Sequence, residues 1–375
     1  MKICIVAEAY PYEGEPRFPF VQQLAYSLSN VGCECSIIAP QSITRNLVGH
    51  GKKKPYHTID INPEGKRINV YRPAILTFSN TTSNALRMLS ENLFCGSVRR
   101  AMKDVGECDA VYCYFWHVGL RTIKALPNTY KVFIQASECD ISVPSHLRRK
   151  EYLRRVEGVV CASGKNQDES IQEGLTKEED TVIAVNGYRT DEFYQIDKKL
   201  ARKTIGVEDD KFIIAFLGGF IKRKGLPQLC NVINRFDDVY SIFIGQGEIN
   251  PDCKNILFKG ALNHKDIVTY LNCADVFVLP TEAEGCCNAI IEALACGLPV
   301  ISSNKSFNNE ILDGDCSIRI DEHNEEELYQ AIKRIKEDIQ MRHTMSEEAL
   351  RKAATLTIEK RADTISNYLK HRIQK

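Results

Sequence analysis

The sequence predicts an α/β protein with two parallel-sheet domains, and three features carry that reading. Short runs of β-branched and apolar residues, such as Lys2–Ala7, Phe212–Leu217 and Asp275–Leu279, alternate with segments whose apolar residues recur at helical spacing. From Asp191 to Val207 charge rises and apolar periodicity lapses, as at a linker. The stretch Val278–Val300 then reads as strand end, polar loop, helix, stop and next strand. At 375 residues, 43% of them hydrophobic, the chain has material for two cores.

Lys2–Ala7 is the first strand. Phe20, Leu24 and Leu28 mark a helix over Pro19–Val31, Gly32 stops it, and Glu34–Ala39 is the next strand, which completes a βαβ unit. The loop Glu8–Phe18 is long for a βα turn and lies at the carboxyl ends of the strands, where open α/β sheets bind ligands. It carries only Gly14, not a Gly-x-Gly-x-x-Gly fingerprint, so no nicotinamide cofactor is expected. Gln41–Asn84 is polar and basic, with Lys52, Lys53 and Lys54 in a row, and reads as a solvated excursion. Asp109–His117 and Tyr130–Asp140 each read as a strand running into a polar end, which gathers His117, Glu138 and Asp140 at one rim. A histidine in that place has a structural reading beside a catalytic one. His146–Val156 reads as a basic helix with Leu147, Leu153 and Val156 on one side, and Val182–Phe193 as a strand followed by an Asn-Gly turn.

Phe212–Leu217 opens a second sheet. The loop after it, Gly218–Gly225, has two adjacent glycines that permit close backbone approach, and Lys222, Arg223 and Lys224 to balance an anion. Ser241–Glu248 and Asn255–Leu262 add strands, and His264–Cys273 is a helix leading to Asp275–Leu279. Asn288–Cys296 is a helix ended by Gly297, with Pro299 just beyond. The N–H groups of Cys286, Cys287 and Asn288 at its positive end are suited to a phosphate. Glu284 precedes that helix, and Glu292 lies one turn past Asn288 on the same face. Carboxylates so close to a diphosphate would repel it, so each is suited to accepting hydrogen bonds from neutral hydroxyls at the two ends of a ligand. On spacing alone, Glu282, Glu284 and Glu292 also read as ordinary solvated acids. Cys316–Ile320 is a last strand, and the charged remainder is helical, ending in Thr355–Ile373.

Composition excludes several classes. Lys plus Arg and Asp plus Glu both total 49, so no basic field points to nucleic acid. The fifteen cysteines are scattered and mostly inside apolar runs, which reads as reduced core rather than a disulfide framework. No Cys-x-x-Cys occurs and no histidines cluster with cysteines, so no zinc site is expected. No segment has the length of a membrane span and the amino end lacks a signal-peptide apolar region, so a cytoplasmic location is expected.

Pro280-Thr281, Glu284-Gly285, Asn288-Ala289, Glu292-Ala293 and Gly297-Leu298-Pro299-Val300 together resemble the Glu-seven residues-Glu signature of retaining family 4 glycosyltransferases, glycosyl transferases group 1, of GT-B fold. The resemblance implies two Rossmann-like doubly wound domains facing across a cleft, with residues 1–195 as acceptor domain, 196–355 as nucleotide-sugar domain and 356–375 as a helix returning to the first. It implies that Glu284 reaches the donor sugar and Glu292 the ribose, with Gly285, Cys286, Cys287 and Asn288 at the phosphates. Gly218-Gly219…Lys224-Gly225 resembles the family's Gly-Arg-x-x-x-x-Lys-Gly, which puts Lys224 on the phosphate-binding lysine. The family's Arg falls on Gly219, and Arg223 is expected to supply that charge. Gly260 and Leu262 would meet the nucleobase, and Gly14 and Arg17 would lie between donor and acceptor. The family's His-Gly-x-Asp is here Ser137-Glu138-Cys139-Asp140, which leaves His117 or Glu138 to replace the missing histidine.

The resulting expectation is transfer of a hexose-type sugar from a nucleotide-diphosphate sugar to a glycan or lipid-linked acceptor, in polysaccharide or glycolipid biosynthesis. Neither metal nor cofactor is required by that reading. For 41–84, a surface that meets an anionic lipid-linked acceptor is the alternative to plain solvation, and for the basic helix over 146–156, peripheral contact with the inner face of a membrane is the alternative to covering a sheet. Two other functions stay open: a nucleotide-sugar epimerase of the same fold, and a nucleotide-sugar-binding protein without turnover.

Overall fold

A computed structural model describes residues 1–13, 15, 17–47, 52–78 and 83–374. The chain divides into two compact units: Met1–Ala162 with Asn166–Ala184 and Arg361–Lys375, and Ser163–Lys165 with Val185–Lys360. The passage from the first to the second thus falls at Ala184, eleven residues before the 195 of the sequence reading.

The first unit contains β1 (Lys2–Val6), α1 (Pro19–Asn30), β2 (Glu34–Ile38), β3 (Gln41–Ser42), α2 (Ile43–Leu47), β4 (His57–Ile61), β5 (Arg67–Tyr71), β6 (Ala74–Ile75) and α3 (Asn84–Val105). It continues with β7 (Ala110–Tyr114), α4 (Trp116–Ala125), β8 (Val132–Ala136), α5 (Lys150–Leu153), β9 (Val156–Cys161), α6 (Gly164–Gln172) and β10 (Thr181–Ile183). Among the described residues these strands form an eight-stranded sheet in the order β10-β9-β8-β7-β1-β2-β5-β4, with β3 and β6 paired apart. All sheet neighbours are parallel except β4 on β5.

Alternation along the strands builds two layers. Cys4 and Val6 of β1 join Val111, Cys113 and Ile134 under α3 and α4, where Phe94, Val98, Leu120 and Ile123 close that side. Ile3 and Ile5 point the other way, with Tyr112, Phe133 and Val160, to meet Leu24 and Leu28 of α1. Ala362, Ile365 and Leu369 of the last helix complete this second layer. Strands buried on both faces explain why the sequence reads as near-continuous apolar runs.

The second unit runs α7 (Lys198–Ile205), β11 (Phe212–Leu217), α8 (Leu226–Ile233), β12 (Val239–Ile244), β13 (Ile256–Gly260), α9 (His264–Asn272) and β14 (Val276–Leu279). It ends with α10 (Asn288–Ala295), β15 (Val300–Ser303), β16 (Ser317–Ile320), α11 (Glu325–Glu337) and α12 (Ile339–Ala353), after which α13 (Ile358–Gln374) leads into the first unit's residues. Its sheet is parallel throughout, in the order β13-β12-β11-β14-β15-β16.

Two readings of the sequence are corrected. Gln41–Asn84 is not a mere excursion: β5 pairs with β2, and β4 folds back on β5 as the sheet's antiparallel edge. Asp60 anchors that hairpin, accepting from Tyr10 at 2.7 Å, Gln22 at 2.8 Å and Tyr26 at 3.0 Å, so short alternating strands are held by long-range polar contacts that local periodicity does not show. His146–Val156 is not one helix either. It holds a single turn at Ser145–Leu147, the four-residue α5 and the first residue of β9.

All fifteen cysteines are free thiols, and most are buried in the strands and helices of the two units. Burial pushes the thiols of Cys113 and Cys316 up to about 12. Among the described residues no helix is long and apolar enough to cross a membrane.

Candidate functional site

In the second unit β11 lies between β12 and β14, so the strand order reverses there. Loops that leave neighbouring strands in opposite directions open a crevice at the carboxyl edge, the usual ligand position of an open α/β sheet. The loop after β11 is Gly218–Gly225, and the loop after β14 is Pro280–Cys287. Sequence motifs some sixty residues apart therefore meet. The backbone ties them: Glu282 N–H donates to Arg223 O at 2.9 Å, and Gly225, at φ +70°, lies against Pro280 so closely that a Cβ there would be 2.2 Å from the Pro280 oxygen.

Glu284 is the centre of this joint. Its Oε1 accepts from Lys224 Nζ and from Thr281 Oγ1 at 2.8 Å, and Arg223 Nη1 lies 3.6 Å away. The side chains of Lys224 and Glu284 are each only 13% exposed, which makes this a sheltered ion pair rather than a surface one. Burial alone would lower the Lys224 pKa, but the Glu284 carboxylate counters it by charge and hydrogen bond and the pKa is raised, so the ammonium stays charged. The arrangement holds a carboxylate with its charge balanced, one oxygen engaged, and two cations beside it.

The helix α10 begins at this joint with Cys287 as N-cap and no side-chain cap on its amides. Cys287 is buried and its thiol is pushed up to about 12, first by burial and then by Glu284, so the residue is a neutral apolar neighbour there. Asn288 is exposed and Gly285 buried. Asn186 clamps the approach: its Nδ2 donates to Asn288 Oδ1 at 2.8 Å and to Cys286 O at 3.3 Å, and its own oxygen is buried with no partner among the described residues.

Glu292 sits one turn along α10, half-buried, beside a pair formed by His264 and Glu192 at 3.0 Å. Burial pushes the Glu292 carboxyl from 4.5 up to about 7, against the pull of His264 and with help from Glu192. The His264 pKa is raised, chiefly by its bond to Glu192 and in spite of burial. Arg189, 3.3 Å from Glu192 and paired with Asp191, also faces the group. A carboxyl whose folded pKa exceeds its unfolded value binds extra protons when folded, so its contribution to stability falls as pH rises from about 4.5 to about 7. The raised histidine loses its contribution as pH climbs through its folded value, in the same direction. Melting temperatures are therefore expected to fall between pH 5 and 8, and Glu292→Gln is expected to flatten that slope. A wild-type slope that Glu292→Gln leaves unchanged would refute the assignment.

Three strands of this unit run into glycine at the same edge, β11 into Gly218, β12 into Gly245 and β13 ending on Gly260. Gly218 N–H donates to Ile244 O at 3.0 Å, and Gly245 N–H to Gly260 O at 2.9 Å. Gly219 has almost no atoms where a side chain would be, and Gly260 at φ +143° precedes the partly buried Leu262. Bare backbone thus lines the edge from Gly218 and Gly219 to Gly260.

The first unit has its own switch point, where β1 lies between β2 and β7. His117 is not a strand-end residue as expected but the second residue of α4. Its Nε2 lies 2.8 Å from Glu8 Oε1, directly after β1, and that bond lowers the Glu8 pKa. Phe115, just before α4, has φ +83°, a costly conformation for a phenylalanine, and its ring stacks on His117 at 6.0 Å. Glu138 accepts Trp116 N–H at 2.7 Å and Ser137 N–H at 2.9 Å. Burial raises its pKa in spite of these donors. Arg17 lies 6.0 Å from the Phe18 ring, and Gly14 lies outside the described residues.

The structure thus brings Gly218, Gly219, Arg223, Lys224, Gly260, Leu262, Glu284, Gly285, Cys286, Cys287, Asn288 and Glu292 to one edge of the second unit, and His117 and Glu138 to one edge of the first. Sequence reasoning quoted Thr281 in the motif without giving it a role, and passed over Asn186, the Glu192–His264 pair and Glu8. Glu8 was within reach, since it is the first polar residue after β1 at a long loop.

Residues 197–352 match the family described as Glycosyl transferases group 1. The teichuronic acid biosynthesis glycosyltransferase TuaC of Bacillus subtilis, a putative assignment by its own description, is 25% identical over 81% of either chain. Sucrose-phosphate synthase from Thermosynechococcus elongatus superposes with a TM-score of 0.76 at 16% identity, over 99% of this chain and 98% of that one. HepE of Anabaena, in complex with UDP-glucose, superposes at 0.67 and 17% identity over 99% of this chain and 100% of its own. The fold is GT-B, as expected from the motifs. With the crevice motifs and the matched segment in agreement, residues 197–352 form a glycosyl transferases group 1 segment and the chain is a glycosyltransferase.

Proposed function

We propose that this glycosyltransferase moves a hexose-type sugar from a nucleoside-diphosphate sugar to a glycan or lipid-linked acceptor, with retention of configuration, in polysaccharide or glycolipid biosynthesis. The observation that carries the reading is Glu284, charge-balanced by Lys224 and anchored by Thr281 at the switch point, beside the amino end of α10. Support also comes from TuaC, described as a teichuronic acid enzyme, and from HepE with its bound UDP-glucose.

In this reading the second oxygen of Glu284 accepts a hydroxyl of the transferred sugar, and Glu292 accepts from the ribose. Lys224, Arg223 and the amides near Cys287 and Asn288 face the diphosphate, where negative charge develops as the bond to the sugar breaks. Gly218 and Gly219 let backbone approach those phosphates, and Gly260 and Leu262 meet the base. Two cations at the leaving group make a metal ion unnecessary to the reading. His117, oriented by Glu8, is better suited than Glu138 to touch substrate, because both Glu138 oxygens already take backbone N–H groups. The reading includes a cytoplasmic location, peripheral on the inner face of the membrane where the acceptor is lipid-linked.

A thermal-shift panel of nucleotide sugars tests it. Ligand at a hundredfold excess over Kd stabilises by about 2.7 kcal/mol, which corresponds to a shift of about 5 °C or more. One base and sugar are expected to stand out, and proton NMR of the product should show the donor's anomeric configuration. A flat panel would overturn the proposal. Conversion of the donor with no acceptor present would favour an epimerase instead.

A further inference from the structure

We propose that the first unit docks on an anionic lipid bilayer through the overhang formed by α2, residues 76–78 after β6 and the first turns of α3. The pieces of this surface are joined in the fold. β3 pairs with β6, Ser42 Oγ lies 2.5 Å from Thr77 Oγ1, Thr44 donates to Thr77 O at 2.8 Å, and Phe78 N–H donates to Ser90 Oγ at 3.0 Å. Lys54 is joined as well, through two hydrogen bonds with Gln41 at 2.8 and 2.9 Å.

The surface is apolar where solvent meets it. Ile43, Leu76, Leu86, Met88 and Leu89 are all exposed, Met88 at 59% and Leu89 at 45%. The contrast along α3 is sharp: Ala85–Leu89 is wholly exposed, and burial begins at Glu91 and Phe94. A helix that served only to cover the sheet would gain nothing from leucine and methionine in a turn that covers none of it.

Charge identifies the occupant. No acidic residue occurs in 40–59 or in 65–90, although the chain as a whole balances 49 acids against 49 bases. Arg45, Lys52, Lys53 and Arg87 are exposed there, while Lys54 is drawn in against Glu15 at 2.6 Å. Apolar side chains flanked by exposed cations, with Glu15 as the acid held against Lys52 and Lys54, match the boundary between acyl chains and anionic headgroups. The overhang follows β2 and β5, so it lies at the same carboxyl edge as Glu8 and His117. On the reading given above, a lipid-linked acceptor would reach that edge from the bilayer.

Flotation of the full chain with vesicles of equal parts phosphatidylcholine and phosphatidylglycerol, against phosphatidylcholine alone, tests the docking. Binding is expected to the anionic vesicles and to weaken with salt. Met88→Glu combined with Leu89→Glu should reduce it about tenfold or more, and so should Arg45→Glu with Arg87→Glu. No flotation, equal binding to both vesicles, or binding unchanged in either double variant would overturn the proposal. Self-association relieved by the Met88 and Leu89 changes would overturn it too, by showing that a second copy covers the face. Donor thermal shifts on the same variants report on the second unit, so a failure of docking is separable from a failure of the transferase reading.

Discussion

Glu284→Gln is expected to lower turnover about 10²–10³-fold while the chain stays folded. The amide keeps the shape and can still accept from Thr281, so the change removes charge and little else. Two effects then add. The neutral oxygen is a poorer acceptor for a sugar hydroxyl as positive charge develops at the reacting carbon, and Lys224 loses the partner that holds its ammonium in place. Arg223, 3.6 Å from the carboxylate and 36% exposed, is too solvated to restore the field. Steady-state kinetics with a matched acceptor would read the loss as a fall in kcat larger than any rise in the donor KM. Activity within about threefold of wild type would remove Glu284 from the proposed machinery.

Gly225→Ala is expected to destabilise the second unit by about 2–5 kcal/mol, the sum of a left-handed backbone cost and an overpacking cost. The backbone there has φ +70°, and the new methyl would lie 2.2 Å from Pro280 O and 2.7 Å from Pro280 Cγ. Neither obstacle is the free end of a flexible side chain, so relief requires the loops after β11 and β14 to part. Those are the loops that carry Lys224 and Glu284, so donor affinity should fall along with the urea midpoint. A midpoint within experimental error of wild type would show that the two loops are not locked together as the hydrogen bond from Glu282 to Arg223 implies.

The second unit was legible because its signals are local. Phe212–Leu217, Asn288–Ala295 with Gly297 behind it, and Glu284 with Glu292 each announce themselves within a dozen residues, and parallel order follows from alternation. The first unit's hairpin was not legible, because Ile59 and Ile61 on β4 are exposed and the strand is held by Asp60 meeting Tyr10, Gln22 and Tyr26 from far away in sequence. His117 illustrates the same limit on a smaller scale. The aromatic run before it reads as one strand, but Phe115 at φ +83° breaks the chain into β7 and α4 and turns the imidazole toward Glu8. Asn186 shows a third kind of miss. Its neighbour Gly187 marks a turn, yet only the fold reveals that the amide grips Asn288, 102 residues on.

The distribution of cysteine gives the molecule a built-in stopwatch. Cys4 and Cys113 lie in the core of the first unit, and Cys273 and Cys316 in that of the second, each fully shielded and unreactive while its surroundings stay closed. Pulsed alkylation followed by peptide mass mapping would therefore time the breathing of each half independently, with no engineered reporter and no assumption that the two melt together.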